Sequence, residues 1–416
     1  MKKRYLALSV ALLSLTLVGC PPKSETGGAG GGKTASTGDI VVGEYGSLTG
    51  NQATFGTSTH NGITLAMEEI NSSGGVLGRQ IKVITEDDQS KSEEAASAVT
   101  KLIAQNNVVA VLGEVASSSS MAAAPVCQSN KVPMITPSST NPDVTKKGDY
   151  IFRMCFIDPY QGPVMAEYLV NTLKVKRVAL LTDNRSDYSR GLGEAFAGRF
   201  KELGGQIVVT QSYAQGDSDF RSQLTAVKGA NPEVIYVPGY YNDIGQIASQ
   251  ARDLGITVPL AGGDGWESPK LIEIGGKALE GCFYSNHYYA EDPSPEVRNF
   301  VDKYKKRFDN QMPDALAALG YDAAKVLADS IKRAGKTDGA ALKDAIGQTK
   351  GFAGVTGMIT LGPDRNPIGK KIVIVGIQNG RLALRQTIDP SAQKGATPVA
   401  TATSAPTDTT ATTATH

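Results

Sequence analysis

Hydroxyl-bearing side chains that suit an anion are concentrated in two segments of this sequence. Gly113–Ser120, GEVASSSS, follows an apolar strand-like run and opens a helix-like run, and Thr136–Thr140, TPSST, follows the next strand-like run. A helix N-terminus offers unpaired N–H groups and the positive end of its dipole, so serines placed there suit a carboxylate. An ordinary N-cap would need only one serine. The two segments therefore predict a cradle for an anionic group.

One acidic residue is placed to complement that cradle. Asp264 lies in GGDGW (Gly262–Trp266), where the flanking glycines would let a ligand ammonium approach closely, and Val237–Tyr241 ends a neighbouring predicted strand. The alternative interpretation is an aspartate in an ordinary turn. A carboxylate cradle opposite a single acid is the charge layout that the zwitterion of an α-amino acid requires, and it predicts a site for such a ligand.

Sequence patterns of common hydrolases and metal enzymes are absent from the chain. It contains no Gly-x-Ser-x-Gly, no His-Glu-x-x-His and no Cys-x-x-Cys. His60, His287 and His416 have no carboxylate or thiol at a ligand spacing, which predicts surface or structural roles. GGAGGGKT (27–34) matches the P-loop pattern formally but lacks the strand before it and the helix after it. We therefore predict no enzyme activity, no cofactor and no metal.

The N-terminus has the pattern of a bacterial lipoprotein signal. Lys2, Lys3 and Arg4 precede the apolar run Tyr5–Val18, which is too short for a transmembrane helix, and the sequence LVGC ends at Cys20. An ordinary secretory signal with an incidental cysteine is the alternative. We predict cleavage after residue 19, acylation of Cys20, and a folded body in the cell envelope, in the periplasm or otherwise outside the cytoplasmic membrane.

The charge balance excludes one large class of partner. The chain has 42 Lys and Arg against 41 Asp and Glu, and removal of residues 1–19 leaves 39 against 41, a net charge of −2. A nucleic-acid-binding protein would carry an excess of basic residues, so no nucleic-acid partner is expected for this chain. At about 100–200 residues per domain, 416 residues predict two to three domains.

The segments that must position these residues alternate between short apolar runs and amphipathic runs. The predicted strands are 40–43, 81–85, 108–112, 132–136, 177–182, 206–211, 234–237, 258–261, 357–361, 372–377 and 381–386. The predicted helices are 62–71, 92–105, 118–129, 160–173, 188–203, 219–229, 241–253, 296–308, 313–333 and 341–346. Such alternation predicts an α/β fold with parallel sheets covered by helices on both faces. Ligands bind such sheets at the carboxyl ends of the strands, where both hydroxyl-rich segments fall.

The alternation restarts after residue 156, which indicates two doubly wound lobes with a cleft between them. The predicted segments are a signal peptide (1–19), a flexible tether (20–38), a first lobe (39–156 with 287–372), a second lobe (157–286 with 373–388) and a disordered Ala/Thr-rich tail (389–416). The chain would then cross between the lobes three times, near residues 156, 286 and 372.

In combination, these motifs resemble the leucine/isoleucine/valine-binding protein family, the extracytoplasmic substrate-binding components of branched-chain amino-acid ABC transporters. The resemblance covers about Asp39 to Arg385. It rests on Leu48–Gly50, Gly113–Ser120, Ile135–Thr140, Asp158–Gly162, Gly239–Tyr240 and Gly263–Gly265. It implies a type I periplasmic-binding-protein fold, in which the lobes close around the ligand by a hinge motion.

The resemblance also implies roles for individual residues. Ser117 matches the serine that holds the ligand carboxylate, and Thr140 matches the threonine that shares this role and also faces the ammonium. Ser138 matches a residue that offers its carbonyl, Asp264 the acid that pairs with the ammonium, and Tyr240 a tyrosine that closes the second lobe. Asp264 is one methylene shorter than a glutamate, so the ammonium geometry stays open.

The remaining expected ligand-binding residues define the surroundings of the ligand side chain. The lining positions are Phe55, Val115, Ala116, Tyr188 and Leu316, and Ser139 lies within the hydroxyl-rich cradle. The lining is largely apolar, which favours an aliphatic or aromatic side chain over a charged one.

The cysteines depart from the pattern of some family members. Their small disulfide would need cysteines near Ser90 and Ala116, and neither residue is a cysteine. Cys127 and Cys155 bracket the cradle strand, and whether they pair in an oxidising compartment is left open. Cys282 is expected to be free and buried.

The sequence and the resemblance together predict a monomeric binding protein that delivers an apolar amino acid to membrane permease subunits. A branched-chain amino acid is the expected ligand, and the lipid on Cys20 is the expected membrane contact. The alternatives are the same fold with an amide or other non-amino-acid solute, an exported sensory receptor, or an exported enzyme.

Overall fold

The structure is a computed structural model, and it describes residues 38–390. The predicted signal peptide, Cys20, the tether, the GGAGGGKT segment and nearly all of the predicted tail, with His416, lie outside the described residues. Among the described residues, no helix combines the length and apolarity needed to cross a bilayer.

Strands and helices alternate along most of this range. The strands are β1 (Ile40–Gly46), β2 (Ile81–Asp87), β3 (Val111–Leu112), β4 (Met134–Thr136), β5 (Ile151–Arg153), β6 (Arg177–Asp183), β7 (Gln206–Tyr213), β8 (Val234–Tyr236), β9 (Leu260–Gly262), β10 (Phe283–Asn286), β11 (Phe352–Gly354), β12 (Gly357–Ile359), β13 (Ile372–Gln378) and β14 (Arg381–Ile388). The α-helices are α1 (Ala53–Ser72), α2 (Ser92–Asn106), α3 (Ser117–Asn130), α4 (Asp143–Lys146), α5 (Asp158–Glu167), α6 (Asp187–Glu202), α7 (Arg221–Gly229), α8 (Tyr241–Asp253), α9 (Pro269–Gly275), α10 (Pro295–Arg307), α11 (Ala315–Ala334) and α12 (Gly339–Gly347).

Two sheets repeat one strand order. The first sheet runs β2-β1-β3-β4-β5, and all its strands are parallel. The second runs β14-β13-β10-β9-β8-β6-β7. Its parallel strands, read in the order β7-β6-β8-β9-β10, repeat the order of the first sheet, and β13 and β14 add an antiparallel edge. In each sheet the order reverses beside its first strand, and ligands bind at such a point at the carboxyl ends of the strands. The predicted pair of doubly wound α/β lobes is confirmed.

Three connections join the two sheets. The chain leaves the first sheet after β5, returns after β10 to form α10, α11 and α12 over the first sheet, and re-enters the second sheet at β13. Helices α2 and α3 cover one face of the first sheet, and α1, α10, α11 and α12 cover the other. The three predicted crossings are therefore present.

Helix α1 begins at Ala53, nine residues before the predicted start at Gly62. The Gly- and Thr-rich sequence before Gly62 suggests a loop. In the structure it is helical, and Gly56 is there because the helix packs closely against a neighbouring segment. A Cβ on Gly56 would lie 2.2 Å from the Ser47 carbonyl oxygen, and one on Gly62 would lie 1.9 Å from the carbonyl oxygen of Ala317 in α11. These contacts place backbone against backbone, which no larger residue allows.

Strand β10 was not predicted from the sequence, because its sequence FYSN mixes apolar and polar residues. All four residues are buried in the sheet. The polar ones are satisfied inside the protein: Ser285 Oγ donates to Gln161 Oε1 at 2.8 Å, and Asn286 Nδ2 donates to Glu267 Oε2 at 2.9 Å. Helix α9 and strand β11 were missed as well.

The three described cysteines are free and buried, so Cys127 and Cys155 do not pair here. Cys127 lies in α3, within the apolar layer between that helix and the first sheet. Cys155 follows β5, and its thiol donates to the Ser139 carbonyl oxygen at 3.3 Å. Burial raises the pKa of both thiols, which keeps them unreactive.

Candidate ligand-binding cleft

A cavity lies between the carboxyl ends of β3 and β4 in the first lobe and of β8 and β9 in the second. The space among its lining atoms, including the openings to solvent, is about 240 Å³. Its lining residues are Phe55, Val115, Ser117, Ser138, Thr140, Tyr188, Tyr240, Asp264, Gly265 and Leu316. Nine of the eleven predicted ligand-binding residues are among them, drawn from seven separate segments of the chain.

The hydroxyl groups of the cavity come from the two predicted segments of the first lobe. Ser117 is the first residue of α3, and its Oγ accepts a hydrogen bond from the Asn141 N–H at 3.2 Å. Its own hydroxyl proton therefore stays available to a ligand. Thr140 Oγ1 is buried and makes no hydrogen bond of good geometry. Two hydroxyls beside a helix N-terminus suit a carboxylate group.

The loop that carries Ser138 and Thr140 is held from behind by Arg153 of β5. The guanidinium is fully buried and donates to the carbonyl oxygens of Ser139 and Asn141, the latter at 2.8 Å. These bonds hold the loop carbonyls against β5. The loop is therefore a fixed part of the cradle rather than a free segment.

Two predicted residues, Ser139 and Ala116, are not brought to the cavity. Ser139 Oγ lies 2.7 Å from Ser120 Oγ and donates to the Glu114 carbonyl oxygen at 3.0 Å, so it joins the two hydroxyl-rich segments to each other. The Ala116 N–H donates to the Glu114 carboxylate. Both residues support the cradle from outside the cavity.

Asp264 begins a short 3₁₀ turn after β9, and it is 6% exposed. Its Oδ1 accepts hydrogen bonds from Gln161 Nε2 at 2.8 Å and from the Tyr188 hydroxyl at 3.0 Å. Its Oδ2 lies 3.0 Å from Nε2 of His287. Both carboxylate oxygens therefore have hydrogen-bond partners, and the group lies on the second-lobe side of the cavity.

A second acid, Asp158, lies behind Thr140. It is fully buried, and burial raises the pKa of its carboxyl group well above the usual range, with the hydroxyl of Thr140 opposing the shift. A carboxyl group of raised pKa takes up a proton more readily, so the charge on this side of the cleft is concentrated on Asp264.

Aromatic rings form most of the apolar wall. Tyr188 and Tyr240 of the second lobe stack with their centroids 5.1 Å apart and their planes 14° apart. Phe55 of the first lobe meets the ring of Tyr240 edge-on at 5.5 Å. Val115 and Leu316 complete the wall from the first lobe. Such a wall suits an apolar side chain rather than a charged one.

Direct contacts between the lobes surround the cavity. The Tyr241 hydroxyl donates to the Asn51 carbonyl oxygen at 3.0 Å, and Thr54 Oγ1 lies 2.8 Å from Ser268 Oγ. On another side, Ser118 Oγ donates to the Asp187 carboxylate at 3.0 Å. The structure therefore shows the closed arrangement of the two lobes.

Three residues of the site were missed by the sequence analysis. Gln161 lies in a recognised motif to which no role was given, and Gly265 is needed because a Cβ there would lie 2.7 Å from the Gly239 carbonyl oxygen. His287 was expected to have a surface or structural role, and its contact with Asp264 was not identified from the sequence. His60 likewise contacts Glu44, with Nδ1 to Oε2 at 2.8 Å. Both partners are distant in sequence, so spacing alone could not reveal them.

The described residues show no arrangement suited to a metal. Among residues 38–390, no group of three or more His, Cys, Asp or Glu side chains could hold a metal ion. The cavity offers hydrogen-bond donors, one carboxylate and an apolar wall, which is a set of groups for binding.

Two solved structures of similar sequence share this architecture. A leucine binding protein of Thermotoga maritima is 40% identical with a TM-score of 0.81, and the match covers 85% of this chain and 99% of that one. A branched-chain amino acid transporter substrate binding protein of Streptococcus pneumoniae, solved with isoleucine, is 34% identical with a TM-score of 0.80. That match covers 85% of this chain and 100% of the other.

A more distant solved structure has a different kind of ligand. It is a solute binding protein of an ABC transporter from Rhodopseudomonas palustris, in complex with 3,4-dihydroxybenzoic acid. It is 27% identical with a TM-score of 0.76, over 84% of this chain and 97% of that one. The family model described as periplasmic binding protein matches residues 39–381, nearly all of the two lobes. This chain therefore belongs to the periplasmic binding protein family, whose members bind solutes and are not enzymes.

Proposed function

We propose that this protein is the solute-binding component of an ABC importer and that it captures an amino acid with a branched-chain or other apolar side chain. One observation carries the proposal: hydroxyl donors at the N-terminus of α3 and the held carboxylate of Asp264 line one cavity, on opposite lobes. The two sets of groups match the carboxylate and the ammonium of a single small zwitterion.

The lining of the cavity supports a small apolar side chain. Its walls away from Ser117 and Asp264 are formed by Phe55, Val115 and Leu316. A charged side chain would lose its hydration there without gaining a partner.

The comparisons support the same class of ligand. The Thermotoga maritima relative is a leucine binding protein, and the Streptococcus pneumoniae structure contains isoleucine. The proposed mechanism is hinge closure. A ligand that contacts Ser117 on one lobe and Asp264 on the other binds the closed form better than the open form, and it shifts the population by that difference in affinity.

An aromatic acid is the second candidate, favoured by the 3,4-dihydroxybenzoic acid in the Rhodopseudomonas palustris structure. The rings of Phe55, Tyr188 and Tyr240 would suit it. Such a ligand has no ammonium, so the Asp264 carboxylate would face a closed cleft without a cationic partner. Leaving a buried charge without a partner is costly, and this weighs against an aromatic acid.

Delivery and location complete the proposal. We propose that the closed, loaded form docks on membrane permease subunits, and that acylation of Cys20 keeps the protein at the outer side of a bacterial membrane. A single acyl chain binds a membrane only marginally, so stable anchoring needs two or more chains. Mass spectrometry of the mature N-terminus from the native host tests this part directly: an unmodified Cys20 would contradict it.

The fluorescence of Trp266 gives a direct test of ligand class. It is the one tryptophan of the chain, it is buried two residues from Asp264, and its Nε1 donates to the Val237 carbonyl oxygen at 2.9 Å. The mature protein, residues 20–416, should show a saturable change with leucine, isoleucine or valine, confirmed by calorimetry. Benzoate and 3,4-dihydroxybenzoate should give no comparable change.

Substitution of the acid locates the site. Asp264→Asn keeps the shape of the side chain but removes the charge, and a charge-assisted hydrogen bond contributes about 1.5–3 kcal/mol, so amino-acid affinity should fall by about 10- to 100-fold. Asp253→Asn, at the exposed end of α8, is the matched control and should bind normally. Equal binding by Asp264→Asn and wild type would refute the proposed ammonium site.

A further inference from the structure

His287 lies directly after β10, on the second of the three connections between the lobes. Its side chain is 1% exposed, and its Nε2 lies 3.0 Å from Oδ2 of Asp264. We infer that His287 is a positioning residue: it donates to Oδ2 and thereby fixes the direction in which the Asp264 carboxylate faces the ligand ammonium. The inference rests on the proposed function, which assigns the ammonium to Asp264.

The donors around Asp264 are unequally divided between its two oxygens. Gln161 of α5 and Tyr188 of α6 both donate to Oδ1. Among the described residues, His287 is the hydrogen-bond partner of Oδ2. Two donors on one oxygen leave the carboxylate able to pivot about that oxygen, whereas a donor on the other oxygen fixes its plane. A site held this way needs no reorganisation when the ligand arrives.

The protonation state of His287 suits this role. Burial lowers the pKa of the imidazole below its usual value, and the hydrogen bond to Asp264 opposes the shift only in part. A neutral imidazole carries one N–H, and a carboxylate requires a donor, so the proton lies on Nε2. Nδ1 has no hydrogen-bond partner in the described part of the chain. A neutral histidine orients the carboxylate without cancelling the charge that the ammonium needs.

The ionisable neighbours of this pair do not disturb that charge. Asp158, Cys155 and Tyr188 interact with Asp264, and burial raises the pKa of all three, which favours their uncharged forms. Lys370 acts on His287 from the third connection, and its positive charge further lowers the pKa of the imidazole. Burial and the positive charge of Lys370 therefore both favour the neutral form of His287.

Packing fixes the direction of the ring. The imidazole stacks on Phe156, which lies on the first connection, with centroids 3.8 Å apart and planes 28° apart. The ring is thus held between two of the three connections that bend when the lobes move. Its Nε2 is aimed at Asp264 by this stack rather than by a second hydrogen bond.

Two substitutions separate the donor from the packing. His287→Phe keeps an aromatic ring against Phe156 but has no N–H, whereas His287→Gln keeps a donor near the position of Nε2. Calorimetry on the mature protein, with leucine, isoleucine and valine as probes, measures the effect. The Phe variant should bind these amino acids about tenfold more weakly or worse, because it loses a hydrogen bond to the charged Asp264 side chain. The Gln variant should recover most of that loss.

The outcomes distinguish this inference from the proposed function. If His287→Phe binds the amino acids with the same affinity as the wild-type protein, the positioning role is overturned and the amino-acid site stays intact. Equal losses in both variants would assign His287 to packing alone and would also overturn the inference. Wild-type protein that binds none of the three amino acids would instead refute the proposed function.

A ligand-free measurement tests the hydrogen bond itself. The side-chain ¹⁵N spectrum of His287, assigned with the Gln variant, should show a neutral ring with its proton on Nε2 at neutral pH, because its pKa lies below the usual value. An imidazolium at neutral pH, or a proton on Nδ1, would overturn the inference whichever ligand binds.

Discussion

The two charges of an amino acid would meet different kinds of group in this cleft. In the proposed complex the carboxylate would face neutral donors, the Ser117 hydroxyl and the N-terminus of α3, whereas the ammonium would face the Asp264 carboxylate. Neutral dipoles bind an anion without the desolvation cost of a buried cation. In the proposed complex the ammonium pairs with the Asp264 carboxylate, and the ligand carboxylate accepts hydrogen bonds from neutral donors.

At this scale, the hydroxyl of Ser117 should be worth a measurable share of affinity. Ser117→Ala removes a donor to a charged carboxylate, and such bonds contribute about 1.5–3 kcal/mol, so amino-acid affinity should fall by about 10- to 100-fold in calorimetry. Ser129→Ala, near the exposed end of the same helix, is the control, because its Oγ bonds to the Val126 carbonyl oxygen and to the neighbouring Asn130 side chain, away from the cavity. A Ser117→Ala protein with wild-type affinity would remove Ser117 from the carboxylate site.

Among the elements, the crossing of α1 and α11 is the contact that most constrains the first lobe. Gly62 lies against the Ala317 carbonyl oxygen and Gly320 against the Thr59 carbonyl oxygen, so the two helices touch through their backbones. Both helices also bring residues to the cavity, Phe55 from α1 and Leu316 from α11. A shift between them would therefore displace two walls of the side-chain pocket.

The helix crossing gives a stability prediction with a matched control. In Gly62→Ala the new Cβ would lie 1.9 Å from a backbone oxygen, and because overpacking costs about 1–3 kcal/mol or more, the denaturation midpoint should fall. Gly198→Ala, in the exposed middle of α6 with nothing within 4 Å of its Cβ, should instead stabilise the protein by about 0.4–1 kcal/mol. The same sign for both variants in urea denaturation would contradict the packing argument.

The sequence predicted the elements well where a pattern is periodic and locally determined. Helices such as α2 and α8 and strands such as β1 and β6 follow from their runs of apolar residues. Strand β10 escaped prediction because Ser285 and Asn286 are satisfied by partners far away in the chain. The start of α1 was not predicted because Gly56 is needed for packing against the Ser47 carbonyl oxygen, a contact that the local sequence pattern does not reveal.

The site divides in the same way. Ser117, Thr140 and Asp264 could be found from residue type and the ends of predicted strands, together with the family resemblance. Gln161 and His287 could not, because their importance lies in hydrogen bonds to Asp264 across 103 and 23 residues of chain. Residues that support a binding group from behind leave no spacing pattern of their own.

For the molecule as a whole, closure brings acids from both lobes together. Glu267 of the second lobe accepts hydrogen bonds from Asn286 of its own lobe at 2.9 Å and from the Ala315 N–H of the first lobe at 3.1 Å. Asp314, the N-cap of α11, lies next to Ala315 and accepts from the Ala317 N–H at 2.9 Å. Burial, and then the nearby Asp314, raise the pKa of Glu267 to about 7.

Ligand affinity should therefore depend on pH. When the lobes separate, Glu267 loses Asp314 and part of its burial, so its pKa falls toward the ordinary value of 4.5. The closed form then holds the proton more strongly, and closure is favoured at low pH. We expect affinity for the amino acid to fall as pH rises from about 5 to 7 and to level off above that range.

Calorimetric titrations across this pH range check the effect. Glu267→Gln should flatten the profile, because it removes the titrating group while keeping an acceptor for the Ala315 N–H. Asp243→Asn is the control: burial also raises the pKa of Asp243 to about 7, but its carboxylate accepts from Gly216 within the second lobe. A profile that stays unchanged in Glu267→Gln would rule out this residue as the source of the pH dependence.

The order of elements along the chain has a consequence for how the protein is made. The face of the first sheet that α1 shares with α10, α11 and α12 stays incomplete until the chain up to Gly347 has emerged, after the whole run from β6 to β10. The parallel strands of the second sheet need no such delay. In a chain that crosses a membrane N-terminus first, the second lobe can therefore fold early, while β1 to β5 wait with one apolar face uncovered. Such a nascent chain would need a holding chaperone for its earliest segment rather than for its latest.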